Sequence, residues 1–236
     1  MIQHAMAIVK TFRRFYTVCY TGIMMSDQYW NSKYKFYGNS PWQDDPSIFA
    51  VEAIHYFPGT GRLLDLGAGQ GHDSHFFAQK GYDVTSTDFN DLALDISKKK
   101  SAELGLVIKY RNIDLALATL PFGKNTYDVV FSHLSLHYFD DAVTTKLFEE
   151  IHRVLKPNGI LAFFSNSILD NEINDFEKIS PNLYRDPGGL QKRYMSTEYV
   201  KKELDSLFDI LQLDLKGQML DPSRPKTFLR FIGKKK

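Results

Sequence analysis

The 236-residue chain carries 29 Lys and Arg against 28 Asp and Glu, a formal charge of +1. That balance argues against a protein that lives on nucleic-acid phosphates, which would show an excess of base. With 43% hydrophobic and 14% aromatic residues it is too apolar for a disordered chain, and a single domain of this length buries roughly 70–75% of its unfolded surface.

The single cysteine, Cys19, can form no internal disulfide. No Cys/His spacing fits a zinc finger, and no run reaches the roughly 18 apolar residues of a membrane span. A reducing, aqueous compartment, the cytoplasm, is expected, with neither membrane nor nucleic acid as partner.

Residues 1–25 form an N-terminal extension with Lys10, Arg13 and Arg14, no acid, and an apolar run broken by Tyr16, Thr17, Tyr20 and Thr21. Basic-then-apolar is a targeting pattern. No small-residue cleavage site follows, and a start at Met24 or Met25 is the alternative; both stay open.

From Arg62 onward β-rich runs alternate with helical patterns, the signature of a parallel sheet wrapped by helices. Residues 62–66 read as a first strand, entered through Pro58-Gly59-Thr60-Gly61. A helix follows Gly71 with Phe76, Phe77 and Ala78 as its buried face, and Gly81 stops it. Strand 82–87, helix 91–104 and strand 106–110 come next. Residues 127–131 read as a strand buried on both faces. Helix 141–155 presents Val143, Leu147 and Ile151 on one side. Lys156-Pro157-Asn158-Gly159 breaks it before strand 160–164. Residues 167–195 are polar and aromatic and read as an inserted lid. A helix at 197–207, capped by Ser196 or Thr197, precedes two strands at 210–216 and 227–232, an antiparallel pair at the end of the sheet. The expected division is a cap at 26–58, a core at 59–166, the lid and its helix at 167–208, and closing strands at 209–236, all one domain.

The informative segment is Asp65-Leu66-Gly67-Ala68-Gly69-Gln70-Gly71, between a strand and a helix. Glycines allow a sharp turn and close approach of a ligand to backbone, and the helix beyond offers free N–H groups. His72 stands where a dinucleotide fingerprint needs its third glycine, and no Gly-Lys-Ser/Thr makes a P-loop. The loop suits a nucleoside without a pyrophosphate. Asp88 ends the second strand, 17 positions after Gly71, where a carboxylate can accept both ribose hydroxyls. Asp114 follows the third strand, where it could accept from an adenine amino group. Each aspartate could instead cap a turn.

These residues, with Asn112-Ile113-Asp114, the run from Tyr127 through Ser132-His133-Leu134-Ser135-Leu136-His137-Tyr138-Phe139, and His152-Arg153-Val154-Leu155-Lys156-Pro157-Asn158-Gly159, resemble the class I S-adenosylmethionine-dependent methyltransferases over residues 59–166. Tyr29-Trp30-Asn31 and Tyr37-Gly38-Asn39-Ser40-Pro41-Trp42 resemble, more weakly, the entry segment of tellurite-resistance and thiopurine methyltransferases. The resemblance implies an α/β, Rossmann-like, seven-stranded, mostly parallel sheet with a reversed last strand and helices on both faces. It implies S-adenosyl-L-methionine as cofactor. Gly67, Ala68, Gly69 and Gly71 would lie against it, Asp65 would hold its amino group, Asp88 with Phe89 its ribose, and Asp114 with Leu115 its adenine. His133 would meet the methionine end.

Methyl transfer from a sulfonium needs alignment and exclusion of water more than charge stabilisation. A base is needed only for an acceptor whose proton has a high pKa. His137 is the candidate base, against a packing role under the cofactor. Tyr37, Trp42, Tyr138 and Tyr184 could wall the acceptor pocket, although aromatics are more often core. The pairs His72/His75 and His133/His137 have helical ligand spacing but equally suit turns, and no metal is expected. Ser132-His133-Leu134-Ser135 replaces the Asn/Asp-Pro-Pro-Tyr/Phe motif of base methyltransferases. The reading is methyl transfer to O, N or S of a small molecule. A protein or RNA side group as acceptor, or a non-catalytic cofactor-binding scaffold, are the alternatives.

Overall fold

The computed structural model describes residues 27–37, 44–215 and 226–236. The N-terminal extension and Trp42 lie outside the described residues, as does the proline-rich connection before the last strand. In chain order, helix α1 (Asp27–Tyr37) and the short α2 (Ile48–Ala53) precede β1 (Arg62–Leu66), α3 (His72–Gln79), β2 (Asp83–Asp88), α4 (Asp91–Glu103), β3 (Lys109–Asn112) and β4 (Tyr127–His133). Then come α5 (Asp141–Val154), β5 (Leu155–Asn166), β6 (Glu177–Ser180), β7 (Leu183–Arg185), β8 (Gln191–Arg193), α6 (Thr197–Leu204), β9 (Phe208–Asp214) and β10 (Phe228–Lys235).

One seven-stranded sheet has the order β3-β2-β1-β4-β5-β10-β9. The five strands from β3 to β5 run parallel, and β10 is antiparallel to both neighbours, β5 and β9. The expected reversed last strand is therefore β10, inserted between β5 and β9. The strand order turns back beside β1, so the ends of β1 and β4 open a crevice.

Both faces of the central strands are buried. Leu64, Val130, Leu161 and Phe163 pack with Leu147, Ile151, Val200 and Leu204 of α5 and α6. Leu63, Val129, Phe131 and Ala162 pack with Phe77 of α3 and Phe49 of α2 on the other side. Burying one such side chain contributes about 1.5–3 kcal/mol, so this sandwich is the rigid frame behind the site. Caps fix where the helices begin: Asn90 accepts from Ala93 N–H, Asp140 from Val143 N–H and Ser196 from Tyr199 N–H.

Three expectations need correction. The third strand lies at Lys109–Asn112, shifted from 106–110, because it is an edge strand and Val107 stands 90% exposed. The first turn of α3 buries Asp73, Ser74 and His75 along with Phe77, whereas Phe76 and Ala78 are only partly covered. That turn abuts the crevice, where polar side chains find partners. The 156–159 break is crossed within β5: Tyr127 pairs with Leu155 and, after a register shift, Val129 pairs with Ile160, with Asn158 at φ +62°. Within 167–195, β6, β7 and β8 form a separate antiparallel sheet.

Candidate active site

Four segments meet at the carboxyl ends of β1, β2 and β4. β1 delivers Asp65 and the glycine loop, β2 delivers Asp88, and β4 ends on His133 before a turn carrying Ser135, His137 and Tyr138. Helix α1 lies across the loop.

Backbone bonds pin the loop: Ala68 N–H donates to Thr87 O at 2.8 Å and Gly71 N–H to Ala68 O at 2.9 Å. Gly67, Gly69 and Gly71 have φ of +66°, +56° and +80°, a region that glycine enters without strain. Their surroundings differ. A Cβ on Gly67 would run into Ser135, whose hydroxyl donates to Leu66 O at 2.6 Å, and one on Gly71 would run into Ser97 Oγ. Close protein neighbours demand these two glycines. Only Gly69 turns its bare side to the site, where the Tyr34 ring is nearest at 3.4 Å.

Asp65 is 2% exposed and accepts the Ser74 hydroxyl at 2.6 Å; among the described residues no basic side chain pairs with it. Burial pushes its carboxyl up to about 8, helped by nearby Asp73 and opposed by the Ser74 bond. Asp88 is 4% exposed. Its Oδ2 accepts from Gly69 N–H and its Oδ1 from Asn90 N–H, both at 2.9 Å, and the Tyr34 hydroxyl also reaches it. Burial raises Asp88 to about 6, restrained by the N–H donors of Asn90, Gly69 and Phe89 and by Tyr34.

Tyr34 is held there because α1 is latched. The Gln70 side chain donates to Tyr34 O at 3.0 Å, and the Asn90 side chain donates to Asn31 Oδ1 at 2.9 Å. Trp30 stacks on Tyr34, centroids 5.5 Å apart, and meets Tyr138 edge-on at 5.8 Å. Burial raises the Tyr34 and Tyr138 hydroxyls, so both are neutral donors.

His133 stacks on Phe164 at 5.0 Å, and burial lowers it to about 4. It lines a cavity of about 20 Å³ with Asp65, Gly67, Ala68, His72 and Asp73, room for one water-sized group. Donor atoms of His72, Asp73 and His133 lie within 4.8 Å of one another. The helical His pairs are thus split, since His75 points to Ser97 O at 3.1 Å. His137 is 2% exposed, packs 4.2 Å from the Tyr138 ring, and is lowered to about 3 by burial and then by Lys192; among the described residues its Nδ1 has no partner.

The remaining expected residues are peripheral to this cluster. Asp114 caps a 3-10 turn by accepting from Ala116 N–H at 2.9 Å, so the capping role is realised. Leu115 is 7% exposed and packs in the core cluster with Leu66 and Leu136. Phe89 is half-buried, and its carbonyl accepts from the Asn112 side chain. Tyr37 ends α1, and Tyr184 meets Tyr194 edge-on at 5.5 Å. Tyr34, Ser74 and Asn90 were missed. Ser74 had a signal, since it sits three residues past the loop's last glycine; Tyr34 had none, because its partners are distant in sequence.

Residues 64–163 match the methyltransferase domain family. Over 121 residues the chain is 31% identical to a sarcosine/dimethylglycine N-methyltransferase of Aphanothece halophytica, covering 51% of this chain and 43% of that protein. It is 29% identical over 145 residues to a phosphoethanolamine N-methyltransferase of Triticum aestivum, covering 61% and 28%. The chain thus spans less than half the length of these curated relatives. The solved 1,6-didemethyltoxoflavin-N1-methyltransferase of Burkholderia thailandensis, with bound S-adenosylhomocysteine, superimposes with a TM-score of 0.68 at 18% identity, covering 89% of this chain and 86% of that one. The strand order with its reversed β10 and the glycine loop backed by two buried carboxyls give the chain the fold of that solved structure, and residues 64–163 match the methyltransferase domain family.

Proposed function

We propose that the chain transfers a methyl group from S-adenosylmethionine to a small molecule at O, N or S. The observation that carries this is the Asp88 carboxylate, buried at the end of β2 and tied to Gly69 N–H. The site fits the cofactor on two counts. Gly69 presents a cradle that a Cβ would fill, and Asp65 is a buried carboxyl without a cationic partner among the described residues. Asp65 would hold the amino group, Asp88 the ribose and residues 114–115 the adenine edge. Bound cofactor supplies an electrophilic methyl on a sulfonium.

The chain's own residues then do three things. Asp88 exchanges the Tyr34 hydroxyl for a ribose hydroxyl, and that exchange moves α1. The aromatic side chains of Trp30, Tyr34 and Tyr138 exclude water and align the acceptor. His137, neutral near pH 7, offers Nδ1 as a contact for the acceptor and as a base where the acceptor carries a proton. The cap at 26–58 and the lid at 167–195, both within one domain, are part of the same proposal. Among the described residues no helix is long and apolar enough to cross a membrane, and we assign the chain to the cytoplasm.

The test is incubation with methyl-labelled cofactor and a panel of thiol, phenol, amine and carboxylate acceptors. Transfer to a small acceptor supports the reading. Tight cofactor binding without transfer to any acceptor would favour a scaffold role.

A further inference from the structure

Sequence spacing sets His72 with His75 and His133 with His137, but the fold makes a different pair. His72 and Asp73 open α3 and His133 ends β4, and the two imidazole centroids stand 6.4 Å apart across the crevice. One ligand atom from each of the three residues lies within 4.8 Å of the other two.

The surroundings of this triad favour a cation. His72, Asp73 and His133 line the cavity of about 20 Å³ together with Asp65, Gly67 and Ala68, a volume that holds one water or one bare ion. Two carboxyls border it, Asp65 at 2% and Asp73 at 4% exposure. Among the described residues neither has a Lys or Arg partner. Burial keeps His133 neutral at pH 7, the form in which an imidazole ligates. Asp73 is held from behind: Ser47 N–H donates to its Oδ1 at 2.7 Å and the Ser47 hydroxyl to its Oδ2 at 2.9 Å. Ligating carboxylates are hydrogen-bonded in this way, and the remaining lone pairs of the carboxylate leave room for an ion.

Two imidazoles and a carboxylate select a first-row transition ion such as zinc, cobalt or nickel over magnesium and calcium, which take oxygen ligands. Metal–ligand bonds of about 2.0–2.2 Å bring tetrahedral ligand atoms to roughly 3.4 Å from one another, so the triad contracts on binding. His72 has room for that movement, since its side chain is 24% exposed against 5% for Asp73.

We propose that His72, Asp73 and His133 bind a divalent transition-metal ion, and that this ion excludes the methyl donor. The exclusion follows from the shared cavity. Asp65 on its rim is the carboxyl assigned to the amino group of the cofactor, and an ammonium and a divalent ion repel strongly in so small a space. Metal occupancy therefore brakes methyl transfer. The exclusion rests on the methyl-transfer reading; the metal site does not.

The test uses the full chain without a purification tag, stripped of metal by a chelator that is then dialysed away. Cobalt(II) should bind saturably with the visible absorption of a four-coordinate ion, and zinc should displace it. His72→Ala and His133→Ala should each weaken zinc by at least about a hundredfold, beyond the roughly 10–100-fold that loss of an outer-shell partner costs. His55→Ala, at an exposed histidine, should leave zinc affinity unchanged. Thermal melts check that each variant folds; if His133→Ala does not, His72→Ala and the wild-type cobalt spectrum decide. Zinc at ten times its own Kd should weaken S-adenosylhomocysteine roughly tenfold in the wild type and leave it unmoved in His72→Ala. No saturable binding of cobalt or zinc, zinc binding indifferent to His72→Ala, or wild-type S-adenosylhomocysteine affinity unmoved by saturating zinc would overturn the inference alone. Failure of S-adenosylhomocysteine to bind the metal-free wild type would overturn the methyl-transfer reading and with it the exclusion, whatever the metal titration gives.

Discussion

Asp65 makes the most specific physical prediction. Its carboxyl is buried, has no cationic partner among the described residues and is raised to about 8, so at pH 7 roughly 0.9 of the molecules hold it protonated. The amino group of the cofactor arrives as a cation. One opposite charge within a few ångströms lowers a carboxyl by about 1–3 units, which brings Asp65 to about 5–7. Binding at pH 7 should therefore release about 0.4–0.9 of a proton. His133 and His137 do not contribute, because they lie at about 4 and about 3 and are already neutral. Titrating S-adenosylhomocysteine calorimetrically at pH 7 in phosphate and in Tris, whose ionisation enthalpies differ, measures that number directly. Affinity should climb as pH rises from 6 and level off above 8, since only the ionised carboxyl attracts the cation. In Asp65→Asn both the proton release and the pH slope should vanish. A binding heat independent of buffer, or the same release from Asp65→Asn, would refute the assignment.

The same carboxyl makes a stability prediction. A folded-state pKa above the unfolded value stabilises the fold below about pH 4 and loses that contribution as pH rises through 8, on the order of several kcal/mol. Thermal melts should accordingly show Asp65→Asn gaining on the wild type between pH 5 and 9 and melting higher at the alkaline end. Gly71→Ala should destabilise the fold by about 2 kcal/mol or more, since its Cβ meets Ser97 Oγ at positive φ. Gly69→Ala should cost less stability and more cofactor affinity; denaturant curves with a binding titration separate the two. Asp88→Ala should weaken S-adenosylhomocysteine by about 1–3 kcal/mol, and calorimetry showing unchanged affinity would remove the ribose assignment. Arg193→Leu should cost about 1–3 kcal/mol in a urea melt, because it removes the buried donor to Phe139 O, while Asp141, whose side chain is 65% exposed, is rehydrated.

The parts of the fold legible in the sequence were those set by local pattern. β1 and α4 were readable because they end at local punctuation, Gly67 after β1 and Gly105 behind α4, and β4 because Val129, Val130 and Phe131 form an apolar run, although the strand continues to His133. β3 was misplaced because Leu106, Val107 and Ile108 look like a strand, while the edge position lets polar Lys109 and Arg111 pair with β2 instead. Asp65 and Asp88 were found because their positions at strand ends carry chemistry independent of packing. The purpose of Gly67 and Gly71 was not legible, since the side chains that crowd them, Ser135 and Ser97, come from elsewhere in the chain. The same holds for Tyr34 on Asp88 and for Lys192 beside His137. Those contacts span tens of residues, and no local spacing encodes them.

Everything proposed for this site turns on Asp88 trading the Tyr34 hydroxyl for a sugar. A crystal structure of the full chain with S-adenosylhomocysteine tests that directly. The account predicts both ribose hydroxyls within hydrogen-bond distance of Asp88, the amino group on Asp65, and Tyr34 displaced with α1. A ligand seated elsewhere, or Tyr34 still bonded to Asp88 in the complex, would contradict it.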